Sequence, residues 1–182
     1  MMLPLKYRFF NLVGTMTSFG QIAGILGLTL FSINLILSAR IKLLERFFHG
    51  LSNVYNYHRI IGQTSFILLL FHPLFLLVSY LSVSLKAAFD FLTPFNNLSV
   101  TYGSISLSLM ILLMVLTLYI KLKYNQWKMS HKFMVLVFVF ALLHSMFISS
   151  DISRDTFLRV YLLSLGFIGL VLSFYQAFVS KW

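Results

Sequence analysis

Four of the five histidines in this chain lie inside two long apolar segments, where an ionisable side chain is costly. His58 and His72 are fourteen residues apart in "YNYHRIIGQTSFILLLFHPLF", and His131 and His144 are thirteen apart in "WKMSHKFMVLVFVFALLHSMF". Imidazole nitrogen is a common ligand of transition metals and of heme iron. A single histidine of this kind is often only a buried, hydrogen-bonded side chain. Two pairs at nearly equal spacing instead indicate a metal or heme site.

The rest of the chain is typical of an integral membrane protein. Of its 182 residues, 59% are hydrophobic and 10% are charged, and the mean hydropathy is +0.91. One small soluble core cannot bury so large an apolar share. The net charge of +10 comes from short clusters between apolar runs, which favours cytoplasmic loops beside anionic lipid over a nucleic-acid partner. With no cysteine in the chain, thiolate ligands, iron–sulfur clusters and covalent c-type heme are excluded.

Five apolar runs are long enough to cross a membrane, and they must do so as helices because lipid cannot satisfy an open backbone. We predict them at residues 18–38, 55–83, 103–120, 127–149 and 156–180, preceded by an interfacial segment at 1–17. Eight of the 14 basic residues lie in or just beside the loops after the first and third runs, so we place these loops in the cytoplasm. They are Arg40, Lys42, Arg46, Arg59, Lys121, Lys123, Lys128 and Lys132. The predicted fold is one all-α domain over residues 1–182, a bundle of about five transmembrane helices in a bacterial inner membrane.

The histidine spacing suits a cofactor at each side of the membrane. A helix rises about 1.5 Å per residue, so each pair spans about 20 Å of a hydrocarbon core about 30 Å thick. The second and fourth helices run in the same direction, which makes His58 level with His131 (the inner pair) and His72 level with His144 (the outer pair). Facing imidazoles can be the axial ligands of a b-type heme. We therefore predict two stacked b hemes between helices two and four.

The helical phase agrees for one of these helices and disagrees for the other. At about 100° per residue, His72 returns to within about 40° of the face of His58. On a straight helix, His144 misses the face of His131 by about 140°. Tilt, side-chain rotamers or a sideways displacement of the hemes would have to absorb that difference.

Three residues beside the inner pair are further candidates for cofactor binding. Gly62 lies one turn from His58, where the missing side chain would admit a porphyrin face. Arg59 and Lys132 adjoin the inner histidines and could neutralise heme propionates. Ordinary snorkelling of these long side chains to the membrane surface is the alternative.

The two histidine segments resemble the ferric reductase-like transmembrane domain family. The stretches "YHRIIGQTSFILLLFH" and "WKMSHKFMVLVFVFALLH" match its two-heme pattern, with His-x13-His on one helix and His-x12-His on the other. That family includes NADPH oxidases, ferric-chelate reductases and the heme-binding membrane subunit of the periplasmic methionine sulfoxide reductase system. The resemblance extends from the first helix through the fifth, and the four histidines are its specific part.

This resemblance implies an inner heme iron held by His58 and His131 and an outer one held by His72 and His144. Electrons would pass from the inner to the outer heme and reduce an acceptor on the outer face. Fuller members of the family draw them from NAD(P)H through an FAD domain after the last helix. This chain has no G-x-G-x-x-G motif. FAD and NAD(P)H are therefore expected only through a cytoplasmic flavoprotein or a C-terminal domain that the chain lacks.

Two other functions fit the same sequence. One is a quinol-linked di-heme cytochrome b subunit, which also uses two bis-histidine hemes. The other is a heme-free membrane scaffold, in which all four histidines would be structural. The sequence does not distinguish a ferric chelate, oxygen, a quinone or a periplasmic protein as the acceptor.

Overall fold

The structure is a computed structural model that describes residues 8–93, 95, 97–120 and 122–176. Within those residues the regular elements are helices. They are α1 (Leu12–Ser38), α2 (Lys42–Phe47), α3 (Leu51–Leu81), α4 (Leu85–Leu92), α5 (Leu98–Leu118), α6 (Tyr124–Lys132), α7 (Met134–Phe147), α8 (Asp151–Arg154) and α9 (Thr156–Phe174). Five spans are long and apolar enough to cross a membrane: α1, α3, α5, α6 with α7, and α9. The prediction of an all-α protein with five such helices is confirmed.

Side-chain caps set where three of the spanning helices begin. Asn11, Asn97 and Asp155 each accept a hydrogen bond from a backbone N–H in the first turn of α1, α5 and α9. Such caps satisfy donors that the helix itself leaves unpaired. As a result α1 begins at Leu12 and α5 at Leu98, both earlier than the apolar runs predict. The predicted end of the fifth span lies outside the described residues.

The helix α1 is the centre of the bundle. Half of the residues in its most apolar stretch are buried, a larger share than in the other spans. It packs closely against α3 and α9, while α5 packs against α7. Three glycines let the backbones of α1 and α3 approach, since a Cβ at Gly20, Gly24 or Gly27 would lie within 3 Å of an α3 side chain.

The core between the levels of the two histidine pairs is apolar and aromatic. Phe138 of α7 is fully buried and meets Phe31 of α1 edge to face, with ring centroids 4.9 Å apart. Partly buried Phe66 of α3 packs against the same cluster. Phe138 lies seven residues after His131 and six before His144, so it is about 10 Å along the helix from either imidazole.

The fourth span is not the single helix that the sequence predicts. It consists of α6 and α7, joined at Phe133, whose φ of −66° and ψ of −9° close a tight turn. The N–H of Phe133 donates to the carbonyl of Ser130 at 3.1 Å, and the N–H of Leu136 donates to the carbonyl of Phe133 at 3.0 Å. These are 3₁₀-type bonds, and such a turn advances about 120° per residue rather than about 100°. The turn therefore recovers part of the phase difference between His131 and His144.

Two short helices present apolar side chains outward beside the spanning helices. In α2, Leu43 and Phe47 are exposed, and in α4, Leu85 and Phe89 are exposed. Helices of this kind lie at the surface of a bilayer. A turn through Gly50, at φ of 125°, separates α2 from α3, and that backbone conformation favours glycine.

Candidate functional site

The four histidines of the two apolar segments form two facing pairs. The ring centroids of His58 and His131 are 6.1 Å apart, with 70° between the ring planes. The centroids of His72 and His144 are 6.3 Å apart, with 66° between the planes. The structure thus brings together the inner and outer pairs that the sequence predicts.

Each separation matches two imidazoles bound to one metal atom. A metal–imidazole bond of about 2.0 Å and a distance of about 1.1 Å from nitrogen to ring centre put the centroids about 6.2 Å apart in a linear arrangement. The described part of the chain contains no group of three or more His, Asp or Glu residues placed to hold a metal ion. The ligation offered is therefore two imidazoles per site, which suits a six-coordinate heme iron better than a four-coordinate zinc ion.

In the outer pair, both imidazoles are tied to the backbone of a neighbouring helix. Nδ1 of His72 lies 2.7 Å from the carbonyl oxygen of Gly20 on α1. Nδ1 of His144 lies 2.7 Å from the carbonyl oxygen of Ser99 on α5. Because a carbonyl oxygen only accepts, each Nδ1 must be the donor. Each Nε2 then keeps its lone pair, which is the tautomer that a metal needs.

Glycines make room for these two outer imidazoles. A Cβ built on Gly24 would lie 2.7 Å from Nδ1 of His72, and one built on Gly103 would lie 2.8 Å from Nδ1 of His144. Gly24 lies four residues after Gly20, and Gly103 lies four residues after Ser99. Each glycine therefore shares a helix face with the residue whose carbonyl accepts the bond. The missing side chain opens a groove through which the ring reaches the backbone. The same arrangement occurs on α1 and on α5.

The inner pair is held differently. Nδ1 of His58 donates to the carbonyl oxygen of Asn34 on α1 at 3.1 Å, a longer bond than either outer one. Nδ1 of His131 is buried and has no hydrogen-bond partner among the described residues. Its ring instead stacks on Trp127, with centroids 5.4 Å apart and 15° between the planes.

A cavity of about 290 Å³ adjoins the outer pair. It lies between α1, α3, α5 and α7 and continues to α4 and α8. Aliphatic side chains, both outer histidines, Gly24 and Gly103 are among the residues that line it. Hydroxyl and amide side chains also contribute to its wall: Thr17, Gln21, Ser79, Ser104, Ser106, Ser145, Ser149 and Ser150. Its chemistry suits a mostly apolar ligand with a polar edge.

The three flanking candidates face other groups. The side-chain amide of Asn34 fills the space at Gly62, where an added Cβ would lie 2.8 Å from Nδ2. Arg59 is exposed and donates to Oδ1 of Asn56 at 3.0 Å. Lys132 lines an apolar groove between α7 and α9. Cofactor contacts for Gly62, Arg59 and Lys132 stay predictions, and the space expected for a porphyrin face at Gly62 holds the Asn34 amide.

Sequence reasoning did not find the groups that orient the histidines. The acceptors on Gly20, Asn34 and Ser99 are backbone carbonyls, which carry no side-chain signature. One signal was present in the sequence: an aromatic residue at position 127, four residues before His131 on one helix face.

Comparison with known families gives one match. A family model described as ferric reductase like transmembrane component matches residues 23–142. This range holds both histidines of the inner pair and His72, and it ends two residues before His144. It also holds Gly24 and Gly103. No curated protein matches the chain.

Proposed function

This chain belongs to the ferric reductase-like transmembrane family, and we propose from that membership that it carries single electrons across a membrane through two b-type hemes. His58 and His131 would ligate the inner heme, and His72 and His144 the outer one. The observation that carries the proposal is the centroid separation of 6.1 and 6.3 Å in the two pairs. A bound heme supplies the one-electron redox chemistry of its iron.

The chain's own residues would bind the hemes, and they orient the imidazoles that serve as ligands. Three of the four imidazoles donate Nδ1–H to a backbone carbonyl. This bond fixes the tautomer and the ring direction, and it makes the free Nε2 a stronger ligand. The two imidazoles of each pair would together hold one heme.

The packing between the pairs keeps water away from the path of the electron. Phe138 and Val137 of α7 are fully buried, and Phe31 and Leu28 of α1 are nearly so. The serine hydroxyls buried beside them donate to helix carbonyls, that of Ser106 to Val137 and that of Ser32 to Leu28, each at 2.9 Å. The protein thus separates the two sites by a closely packed, mostly apolar layer.

We place the electron donor on the cytoplasmic side of the membrane and the acceptor on the opposite side. The basic loops after the first and third spans support a cytoplasmic inner face. We propose the inner membrane of a bacterium as the location. The donor there would be a flavoprotein, or a flavin domain, that draws electrons from NAD(P)H. Arg59 and Lys132 stay candidates for contacts with propionates or with that donor. The cavity at the outer pair supports delivery of electrons on the opposite side.

Electron transfer can be tested in sealed liposomes. The heme-loaded protein is reconstituted around trapped ferricyanide, and dithionite is added outside. We expect loss of ferricyanide absorbance in liposomes with heme-loaded protein, and none in liposomes with heme-free protein or without protein. Heme-loaded protein that leaves the trapped ferricyanide oxidised would contradict transmembrane transfer. Protein that binds no heme under ample heme supply would contradict the cofactor assignment instead.

A further inference from the structure

His131 is the one histidine of the two pairs whose Nδ1 lacks a partner in the described structure. The other three rings are each fixed by a bond from Nδ1 to a carbonyl oxygen on a neighbouring helix. A ligating imidazole that lacks such a bond can rotate about its side-chain torsions. Something else must therefore hold the ring of His131 toward His58.

The aromatic stack with Trp127 supplies that restraint. Trp127 precedes His131 by four residues on α6, so their side chains project from the same helix face. Their centroids are 5.4 Å apart and their planes differ by 15°, an offset, nearly parallel arrangement. The indole thus stacks on one face of the imidazole and restricts its rotation.

The break in the fourth span makes a local restraint necessary. The turn at Phe133 separates α6 from α7, so the direction of His131 does not follow from the packing of α7 in the core. The outer ligand of the same span, His144, belongs to α7, which packs closely against α5. Trp127 is on the same short helix as His131 and therefore moves with it.

We infer that Trp127 is a positioning residue for the inner site, which holds the imidazole of His131 in its ligating orientation. The inference rests on the proposed function, because it concerns the iron ligand of the inner heme. A stack restrains the ring but adds no electron density to Nε2, whereas a carbonyl acceptor does. The inner site therefore depends on Trp127, and the outer site does not.

The test compares Trp127→Leu, Trp127→Phe and the unchanged protein, each purified with heme. Electron paramagnetic resonance resolves the two ferric low-spin signals, and His58→Ala identifies the inner one by its loss. With Trp127→Leu we expect a shifted or high-spin inner signal and an unchanged outer signal. Transfer of inner heme to excess apomyoglobin should become about tenfold faster. Trp127→Phe keeps an aromatic face and should restore both properties.

Tyr124→Leu is the matched control. Tyr124 stacks on Trp127 with ring centroids 6.0 Å apart and is 68% exposed. Its replacement removes an aromatic residue of the same short helix while it keeps Trp127 itself, so both heme signals should stay unchanged. If Trp127→Leu does not accumulate, Trp127→Met offers a longer, unbranched side chain that adapts to the same space and should give the same inner-site defect.

Three results separate the hypotheses. Unchanged inner signal and heme loss in the Leu or Met variant would overturn the positioning role. Equal loss of both hemes would also overturn it, since that is the behaviour of a general anchor at the membrane surface. Absence of heme from the unchanged protein would instead overturn the proposed function on which the inference rests.

Discussion

The outer and inner histidine pairs have nearly the same ring separation but are supported in different ways. Both outer rings reach a carbonyl oxygen at 2.7 Å, through glycine-lined grooves on two different helices. The inner pair has one longer carbonyl bond, to Asn34, and one stacked ring without a partner for Nδ1 in the described structure. The two pairs therefore consist of the same residue type but are held in place by different interactions.

This difference shows which atoms fix the orientation of the imidazoles at each site. At the outer site they are backbone atoms of α1 and α5, which no side-chain substitution removes. At the inner site they include a side chain, that of Trp127. Substitutions that fill a groove should consequently damage the outer site, and substitutions that remove an aromatic face should damage the inner site.

The largest effect is expected when an outer ligand is removed. His72→Ala should reduce the heme content from two per chain to one, with the inner spectrum retained, as measured by pyridine hemochrome and protein assay. The reason is that one imidazole cannot supply both axial ligands of the outer iron. His49→Asn is the control, because His49 is exposed in the turn before α3, at a φ of 58° that asparagine tolerates. Equal heme content in His72→Ala and the control would contradict the pairing.

An intermediate effect is expected when the groove at the outer site is filled. Gly24→Ala places a Cβ only 2.7 Å from Nδ1 of His72, so the ring must shift away from the carbonyl of Gly20. We expect outer-heme affinity to fall by about 10- to 100-fold, measured by heme titration of the purified apoprotein.

The control for that substitution is Gly27→Ala, which also overpacks the contact between α1 and α3. Its Cβ would meet the side chain of Leu69, at 2.8 Å, rather than an imidazole. Both variants should lose about 1–3 kcal/mol of stability through overpacking. If Gly27→Ala weakens outer-heme binding as much as Gly24→Ala, the groove has no specific role.

The smallest effect is expected at the inner site when only the side chain of Asn34 is changed. The bond from His58 goes to the backbone carbonyl, which Asn34→Leu retains. Oδ1 of Asn34 is buried without a hydrogen-bond partner among the described residues, so its removal should be neutral or stabilise by about 1 kcal/mol. Inner-heme affinity should change by less than about threefold, whereas loss of a hydrogen bond that supports a metal ligand typically costs about 10- to 100-fold. A loss comparable to that of Gly24→Ala would show that the amide itself supports the site.

Much of the fold and both histidine pairs could be predicted from the sequence. Apolar runs of sufficient length must be helices in lipid, and two imidazoles per run at nearly the same spacing leave few arrangements. The family match over residues 23–142 confirms the family that the histidine spacing indicated. All of these predictions depend only on residue types and on distances along the chain.

The parts that could not be predicted depend on the backbone. No proline or glycine marks the turn at Phe133 in the sequence, yet the turn changes the helical phase between His131 and His144. The acceptors at Gly20 and Ser99 are carbonyls that become available only because a glycine follows four residues later. At Gly62 the missing side chain predicts room for a porphyrin face, and the structure places the Asn34 amide in that space.

The central claim is that each chain holds two bis-histidine hemes, and heme stoichiometry tests it most directly. The unchanged protein is expressed with ample heme, purified in detergent, and assayed for heme, protein and absorption spectrum. We expect two b-type hemes per chain, both six-coordinate and low-spin in the oxidised and reduced states. A chain that binds no heme, or one heme, or that shows a high-spin five-coordinate spectrum, would contradict the account.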